Sequence, residues 1–340
     1  MKNKEGIMKE LRITLCDGAE LDNYDEHAVI IALSKKYKLV VDNSSPDIAI
    51  CDMWGVKHMD IAVPKIFMTC EPYIDKNDFY DVYIGGREFE SKKMQFNLIT
   101  YGKYFKQLQE NKYYTDIKKI RETPKTKFCA FLYKNRHARH RIQFCRKLQK
   151  YKWVDCLGDV LHNTDIDESQ KRFVKDWHYQ QINIYKDYKF VIAFENNSYP
   201  GYVCEKIAAA LYAGCVPIYW GAGNVGEYIN PKAFINVNDF SSFDECIDYV
   251  KKVDNDDNLY QQYITAKPIT EDSKLHNLTP EILSDKILNS VEKILQVDYV
   301  PVGHLTGTAR LKAKWLNRFW KYKQSITYRI EIMCEKIGLR

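Results

Sequence analysis

Apolar and polar positions along this chain fall into two stretches of alternating short runs, separated by a polar span. In the first 90 residues the β-rich runs are LRITLC (11–16), YKLVV (37–41), DIAIC (47–51), KIFMTC (65–70) and DVYIG (81–85). Runs of Val, Ile and aromatic residues bounded by polar segments predict strands. Between the first two, Glu26 to Lys36 places Ala28, Ile30, Ile31 and Leu33 on one helical face, with charges opposite. Strand, helix, strand at this spacing predicts a parallel sheet. Residues 100–126 then turn polar and lysine-rich, which predicts a linker and a domain boundary there. A second series begins at KFCAFLY (127–133) and runs through a basic helical stretch, VDCLG (154–158) and a polar helix from Asp167 to Tyr185. KFVIAFEN (189–196) is almost continuously apolar, as a strand buried on both faces should be. EKIAAALYAG (205–214) predicts a helix stopped by Gly214 in the left-handed conformation. CVPIYWG (215–221) and Phe234 to Val237 predict the last strands. The order fits an α/β fold of two Rossmann-like domains facing each other across a cleft, with domains at 1–115 and 116–300.

A different pattern closes the chain. From Leu311, apolar residues fall at 311, 315, 319, 322, 326, 330, 333 and 337, one stripe on a helix of about 30 residues. Trp315, Phe319, Trp320, Tyr322 and Tyr328 make it aromatic, and Lys312, Lys314, Arg318, Lys321 and Lys323 make its first half basic. Thr308 to Arg340 holds nine Lys/Arg against two Asp/Glu, an excess larger than the whole chain's net charge of +6, so the remainder is close to neutral. A neutral body with a basic tail argues against general nucleic-acid binding and for a localised anionic contact. Residues 301–340 are therefore expected to lie on an anionic membrane surface as an amphipathic helix. The competing expectation is that the stripe packs on the protein's own body.

Composition narrows the classes further. With 45% hydrophobic and 28% charged residues, the chain is neither disordered nor a polytopic membrane protein. Its ten cysteines are scattered singly, with no C-x-x-C pair, so neither a zinc ribbon nor a redox dithiol is expected and a reducing compartment is. No signal-peptide pattern and no run of 18 apolar residues is present, which predicts a cytoplasmic chain without a membrane span. The Asn-x-Ser/Thr triplets at Asn43, Asn196 and Asn277 are then expected to carry no glycan. Asp165-Ile166-Asp167 is a D-x-D pattern, but so short a pattern arises by chance among this many acids; the histidines offer no ligand pair. No metal or other cofactor is expected.

The stretch from Tyr188 to Phe240 carries the chemistry. A buried strand ends at Phe194 and opens into a polar loop containing Gly and Pro. The loop feeds a helix whose first turn holds Glu205 and Lys206. Open α/β sheets bind ligands beyond the carboxyl ends of their strands, and helix N-termini favour phosphate. Lys206 adds a cation, and a carboxylate such as Glu205 can accept hydrogen bonds from two ribose hydroxyls. Those residues suit a nucleotide diphosphate, although a first-turn Glu is equally an ordinary complement to the helix dipole.

The whole pattern resembles the signature of the α-1,3/1,4-fucosyltransferases, glycosyltransferase family 10. The matching pieces are Phe194-Glu195-Asn196, Gly201-Tyr202-Val203-Cys204-Glu205-Lys206, Val216-Pro217-Ile218-Tyr219-Trp220-Gly221, Asn230-Pro231 and Phe234-Ile235-Asn236-Val237-Asn238-Asp239-Phe240. They span about 50 contiguous residues in the family's order. Cys204 stands where the family carries Ser or Thr, and Ile229 where Phe is common. The resemblance implies a GT-B enzyme with GDP-β-L-fucose held by the C-terminal domain and the acceptor received in the cleft. It places Glu205 on the ribose, Lys206 on the phosphates, and Asn196 and Tyr202 along the donor site. A further family arginine reaches the diphosphate. Arg136, Arg139 and Arg141 are available, and the family spacing to an aromatic, here Phe144, favours Arg141.

An inverting transfer needs a carboxylate to take the acceptor's proton. The resemblance puts that Glu after a strand of the N-terminal domain, where KIFMTCEPYI offers Glu71. A strand-end cap is the competing reading of Glu71. Its flanks, Cys70 and Pro72, differ from the family's, and Gly86-Arg87 replaces an aromatic-acid pair, which bears on the acceptor. The resulting expectation is an inverting, metal-independent fucosyltransferase, peripheral on the cytoplasmic face of the cell membrane. It would act on a GlcNAc-containing glycan in bacterial surface polysaccharide or lipopolysaccharide synthesis. The alternatives are a GT-B enzyme using another GDP-sugar and a non-catalytic, membrane-docked nucleotide binder.

Overall fold

A computed structural model describes residues 8–19, 27–69, 71, 80–86, 94–97, 124–167, 177–301 and, in the tail, Thr308, Leu311, Lys312, Trp315 and Phe319. Six strands form the first sheet: β1 (Lys9–Cys16), β2 (Tyr37–Val41), β3 (Ile48–Cys51), β4 (Lys65–Met68), β5 (Val82–Gly85) and β6 (Met94–Asn97). Their order is β2-β1-β3-β4-β5-β6, and every pairing is parallel. The first five match expected strands; β6 is an addition, a four-residue edge strand that MQFN does not advertise. Helix α1 (Ala28–Ser34) covers this sheet and buries Ala28, Val29, Ile30, Ala32 and Leu33. Ile31, expected on the buried face, is 40% exposed. Seven residues make about two turns, so a core on one side and a neighbouring helix on another leave one narrow outward face, which Ile31 shares with Ser34 three residues on.

The second sheet contains β7 (Lys127–Phe131), β8 (Val154–Cys156), β9 (Tyr188–Phe194), β10 (Val216–Trp220) and β11 (Ile235–Asn236), ordered β11-β10-β9-β7-β8 and again all parallel. Because alternate strand residues point to opposite faces, β9 feeds two cores at once. Phe190, Ile192 and Phe194 enter one cluster, Val191 and Ala193 the other. Helices α2 (Arg139–Leu148), α3 (Trp177–Tyr185), α4 (Glu205–Tyr212), α5 (Phe243–Asn255) and α6 (Asp257–Thr265) accompany this sheet. Gly214 has φ +69° and ends α4, as expected, because only glycine adopts that conformation without strain.

The polar span expected as a linker, and the boundary near 115, lie outside the described residues apart from 124–126. Helix α7 (Pro280–Ile294) lies within the range expected for the second domain, yet its apolar stripe packs elsewhere. Leu283, Ile287, Val291 and Ile294 join α1 and the first sheet in one buried cluster. Each such aliphatic side chain stabilises the fold by about 1.5–3 kcal/mol. Lys36 pairs with Glu292, Lys35 lies 3.6 Å from Asp285, and Tyr299 donates to Asp81 at 2.7 Å. The chain thus crosses back to the first sheet and ties the two halves together. The described tail residues are helical, with the Trp315 and Phe319 rings stacked at 5.5 Å, and Trp315 is 62% exposed.

Candidate active site

In the second sheet the strand order reverses between β7 and β9, and parallel sheets bind ligands at such a switch point. Tyr133 leaves β7 there, and Glu195 and Asn196 leave β9. Helix α2 brings Arg141 and α4 brings Glu205 and Lys206 to the same place. Together with Glu71, which follows β4 of the other sheet, they line a cleft of about 930 Å³. Glu71, Arg141, Asn196, Glu205 and Lys206 thus share one cleft. Tyr202 lies behind the wall, 1% exposed, with its hydroxyl directed toward Glu71.

Glu195 organises the donor side, a role the sequence reading did not give it. Its carboxylate is fully buried. One oxygen accepts from the Cys204 N–H at 2.7 Å, and the other lies 3.1 Å from Lys206 Nζ. Cys204 is the N-cap of α4 but makes no side-chain cap, so Glu195 satisfies an N–H of that terminus from across the loop. Burial drives the Glu195 carboxyl up from its ordinary value, with Lys206 opposing it. Burial also works against the Lys206 charge, but Glu195 and Glu205 outweigh it and hold the ammonium well above its ordinary value. Lys206 is therefore a fixed cation, its side chain 19% exposed and 3.4 Å from Glu205. Gly221 makes the packing possible: a Cβ there would sit 2.6 Å from Glu195 Cγ and 2.4 Å from the Tyr219 hydroxyl. A signal for Glu195 existed in the chain, since a charge placed directly after an apolar buried strand must find a partner.

Arg141 supplies a second cation. Its guanidinium stacks 4.1 Å over the Tyr133 ring, and one NH2 donates to Asn196 Oδ1 at 2.6 Å. Its Nε is buried with no hydrogen-bond partner among the described residues, a donor left for a ligand. Of the other two candidate arginines, Arg136 donates to the Asp159 carbonyl and Arg139 is exposed at the start of α2. Tyr133 is locked by its own hydroxyl, which donates to Ile192 O at 2.8 Å and accepts from Phe194 N–H at 2.7 Å. Burial pushes that phenol up to about 12. Nothing in the sequence singled Tyr133 out. Asp165 of the D-x-D also lines the cleft, 3.1 Å from His162 Nε2. Among the described residues no three potential metal ligands cluster.

Two cations and a helix N-terminus face a carboxylate across a cleft of nucleotide-sugar size. Residues 121–282 match the profile described as glycosyltransferase family 10 (fucosyltransferase), C-terminal part. Over those residues, just under half of its length, the chain resembles glycosyltransferase family 10. Among similar proteins, the R654 protein of Acanthamoeba polyphaga mimivirus, which bears a fucosyltransferase name, is 32% identical over 257 residues, covering 71% of this chain and 40% of that one. An alpha-(1,3)-fucosyltransferase of Helicobacter pylori is 40% identical over 114 residues, 33% of this chain and 24% of that protein. The chain thus spans less than half the length of these curated relatives. A crystal structure of an alpha1,3-fucosyltransferase, 22% identical, superposes with a TM-score of 0.70 over 90% of this chain and 96% of that one. The fold is accordingly of GT-B type, with two parallel α/β halves around the cleft.

Proposed function

We propose that this chain transfers L-fucose from GDP-β-L-fucose to a GlcNAc-containing glycan, at O3 or O4, with inversion at the anomeric carbon. The observation that carries the reading is the convergence of Lys206, Arg141, Asn196 and Glu205 on one side of the cleft with Glu71 on the other. Lys206 and Arg141 take the diphosphate, and Glu205 the ribose hydroxyls. As the acceptor oxygen bonds to the anomeric carbon, the carbon–oxygen bond to the diphosphate breaks and its electron pair leaves with GDP. Lys206 and Arg141 stabilise that developing charge, and Glu71 takes the acceptor's proton. The similarity to an alpha-(1,3)-fucosyltransferase and to a structure solved with GDP-fucose supports fucose as the sugar. The basic, aromatic tail supports action at the cytoplasmic face of a membrane, on a lipid-linked surface polysaccharide.

The test is a panel of nucleotide sugars against soluble acceptors that include N-acetyllactosamine, in the presence of a chelator, with products weighed by mass spectrometry. Fucosylated product from GDP-fucose alone is expected. Turnover with a different GDP-sugar and none with GDP-fucose would overturn the donor; no transfer from any sugar would leave a nucleotide-binding protein.

A further inference from the structure

The donor loop and the candidate base meet at one contact. Tyr202 Oη lies 3.4 Å from Glu71 Oε2, joining residues 131 apart in the chain. The tyrosine is held from behind. Its N–H donates to the Tyr199 carbonyl at 3.1 Å, and its own carbonyl accepts from the Tyr219 hydroxyl at 3.4 Å. The loop enters through Gly201 at φ +71°, whose N–H donates to Asn224 Oδ1 at 2.9 Å. The ring is 1% exposed, so the phenol has no freedom to swing into solvent. Burial drives its hydroxyl well above the ordinary tyrosine value, so it keeps its proton at any working pH. Toward a carboxylate such a group can only donate. On its own side, the Glu71 backbone N–H donates to Thr69 Oγ1 at 3.3 Å.

We propose that Tyr202 is a positioning residue for the transfer: its hydroxyl holds Oε2 of Glu71 and leaves Oε1 to receive the proton of the acceptor hydroxyl. The proposal rests on the reading of Glu71 as the base. It departs from a role for Tyr202 as a contact of the donor itself. Tyr202, in the loop that feeds α4, and Lys206, in the first turn of that helix, lie four residues apart, so the segment read as binding the diphosphate also sets the position of the base. A free carboxylate would sample several rotamers, and only one of them reaches the acceptor; a fixed donor selects it.

Tyr202→Phe keeps the buried ring and removes only the hydroxyl. With GDP-fucose and an acceptor that the wild type uses, kcat is expected to fall about three- to tenfold, the worth of one hydrogen bond. Acceptor KM and GDP affinity stay at wild-type values. The acid limb of the pH–rate profile moves to higher pH, because an anion that loses a donor is protonated more readily. In a Glu71→Gln background, where turnover is already down by about 100-fold, adding Tyr202→Phe changes nothing further. All rates are taken below the lowest melting temperature of the set, so lost folding does not enter. A weakened GDP affinity in Tyr202→Phe assigns the hydroxyl to the donor and overturns the proposal, as does an unmoved acid limb. A Glu71→Gln enzyme with wild-type turnover overturns the base, and the proposal with it. An inactive Glu71→Gln beside an unaltered Tyr202→Phe sinks the positioning role alone.

Discussion

Removing Lys206 tests the donor side of the site, and its cost follows from the geometry. Glu195 is fully buried, with one oxygen on the Cys204 N–H and the other facing Lys206 Nζ at 3.1 Å. In Lys206→Ala the carboxylate keeps its burial and loses its countercharge. Breaking a buried pair from one side costs about 3–5 kcal/mol. The lysine side chain is 19% exposed, so water can enter the vacated space and the low end, about 3 kcal/mol, applies. For a cooperative unit of 150–250 residues this lowers Tm by about 6–12 °C. The companion Glu195→Gln/Lys206→Ala double variant removes both charges, while the amide carbonyl can still accept from Cys204 N–H. It should recover most of the lost Tm. The two variants behave alike toward ligand: GDP at 100 times its Kd should stabilise the wild type by about 2.7 kcal/mol, and most of that shift should vanish in both. Thermal melting with and without GDP reads all of this. A Lys206→Ala protein that melts with the wild type refutes the buried-pair argument. An undiminished GDP shift in it refutes the diphosphate role.

Two further outcomes concern the rest of the chain. His27 caps α1 by accepting from Val29 N–H, and burial holds its ring at about 4 against an ordinary 6.5. As pH falls from 6.5 toward 4, the unfolded chain binds a proton that the folded chain refuses, so stability present above pH 6.5 is lost by about 3 kcal/mol. His27→Asn keeps a capping acceptor and should flatten that loss; equal urea midpoint shifts between pH 7 and 4.5 in both proteins would count against it. Deleting residues 308–340 removes seven net positive charges, each contributing on the order of 1 kcal/mol at an anionic surface. The truncated protein should leave acidic vesicles in a sedimentation assay yet fucosylate a soluble oligosaccharide, whereas a large fall in its Tm would mean that the stripe packs on the body.

What the sequence determined by itself was local. Period and composition marked five strands of each sheet to within two or three residues, because a buried parallel strand must be apolar on both faces wherever it lies. Gly214 announced the end of α4, since its φ of +69° is a demand of one residue's backbone. The segment from Asn196 to Lys206 was legible as a candidate phosphate site because a strand end, a polar turn and a helix start adjoin in sequence. Arg141 was one of three candidates on residue type, favoured by the resemblance through its spacing to Phe144, and in the structure it is the one of the three buried against Tyr133. The tertiary structure decided whatever depended on contacts between distant segments. Ile31 faces outward because a sheet and a returning helix leave α1 one free side, and α7 seals the first core although it follows the second sheet. The pairing of Glu195 with Lys206, and the reach of Tyr202 to Glu71 across 131 residues, exist only once the cleft has formed. A side chain's charge state and partner are set by what surrounds it, and in this chain most of what surrounds the site comes from elsewhere in the sequence.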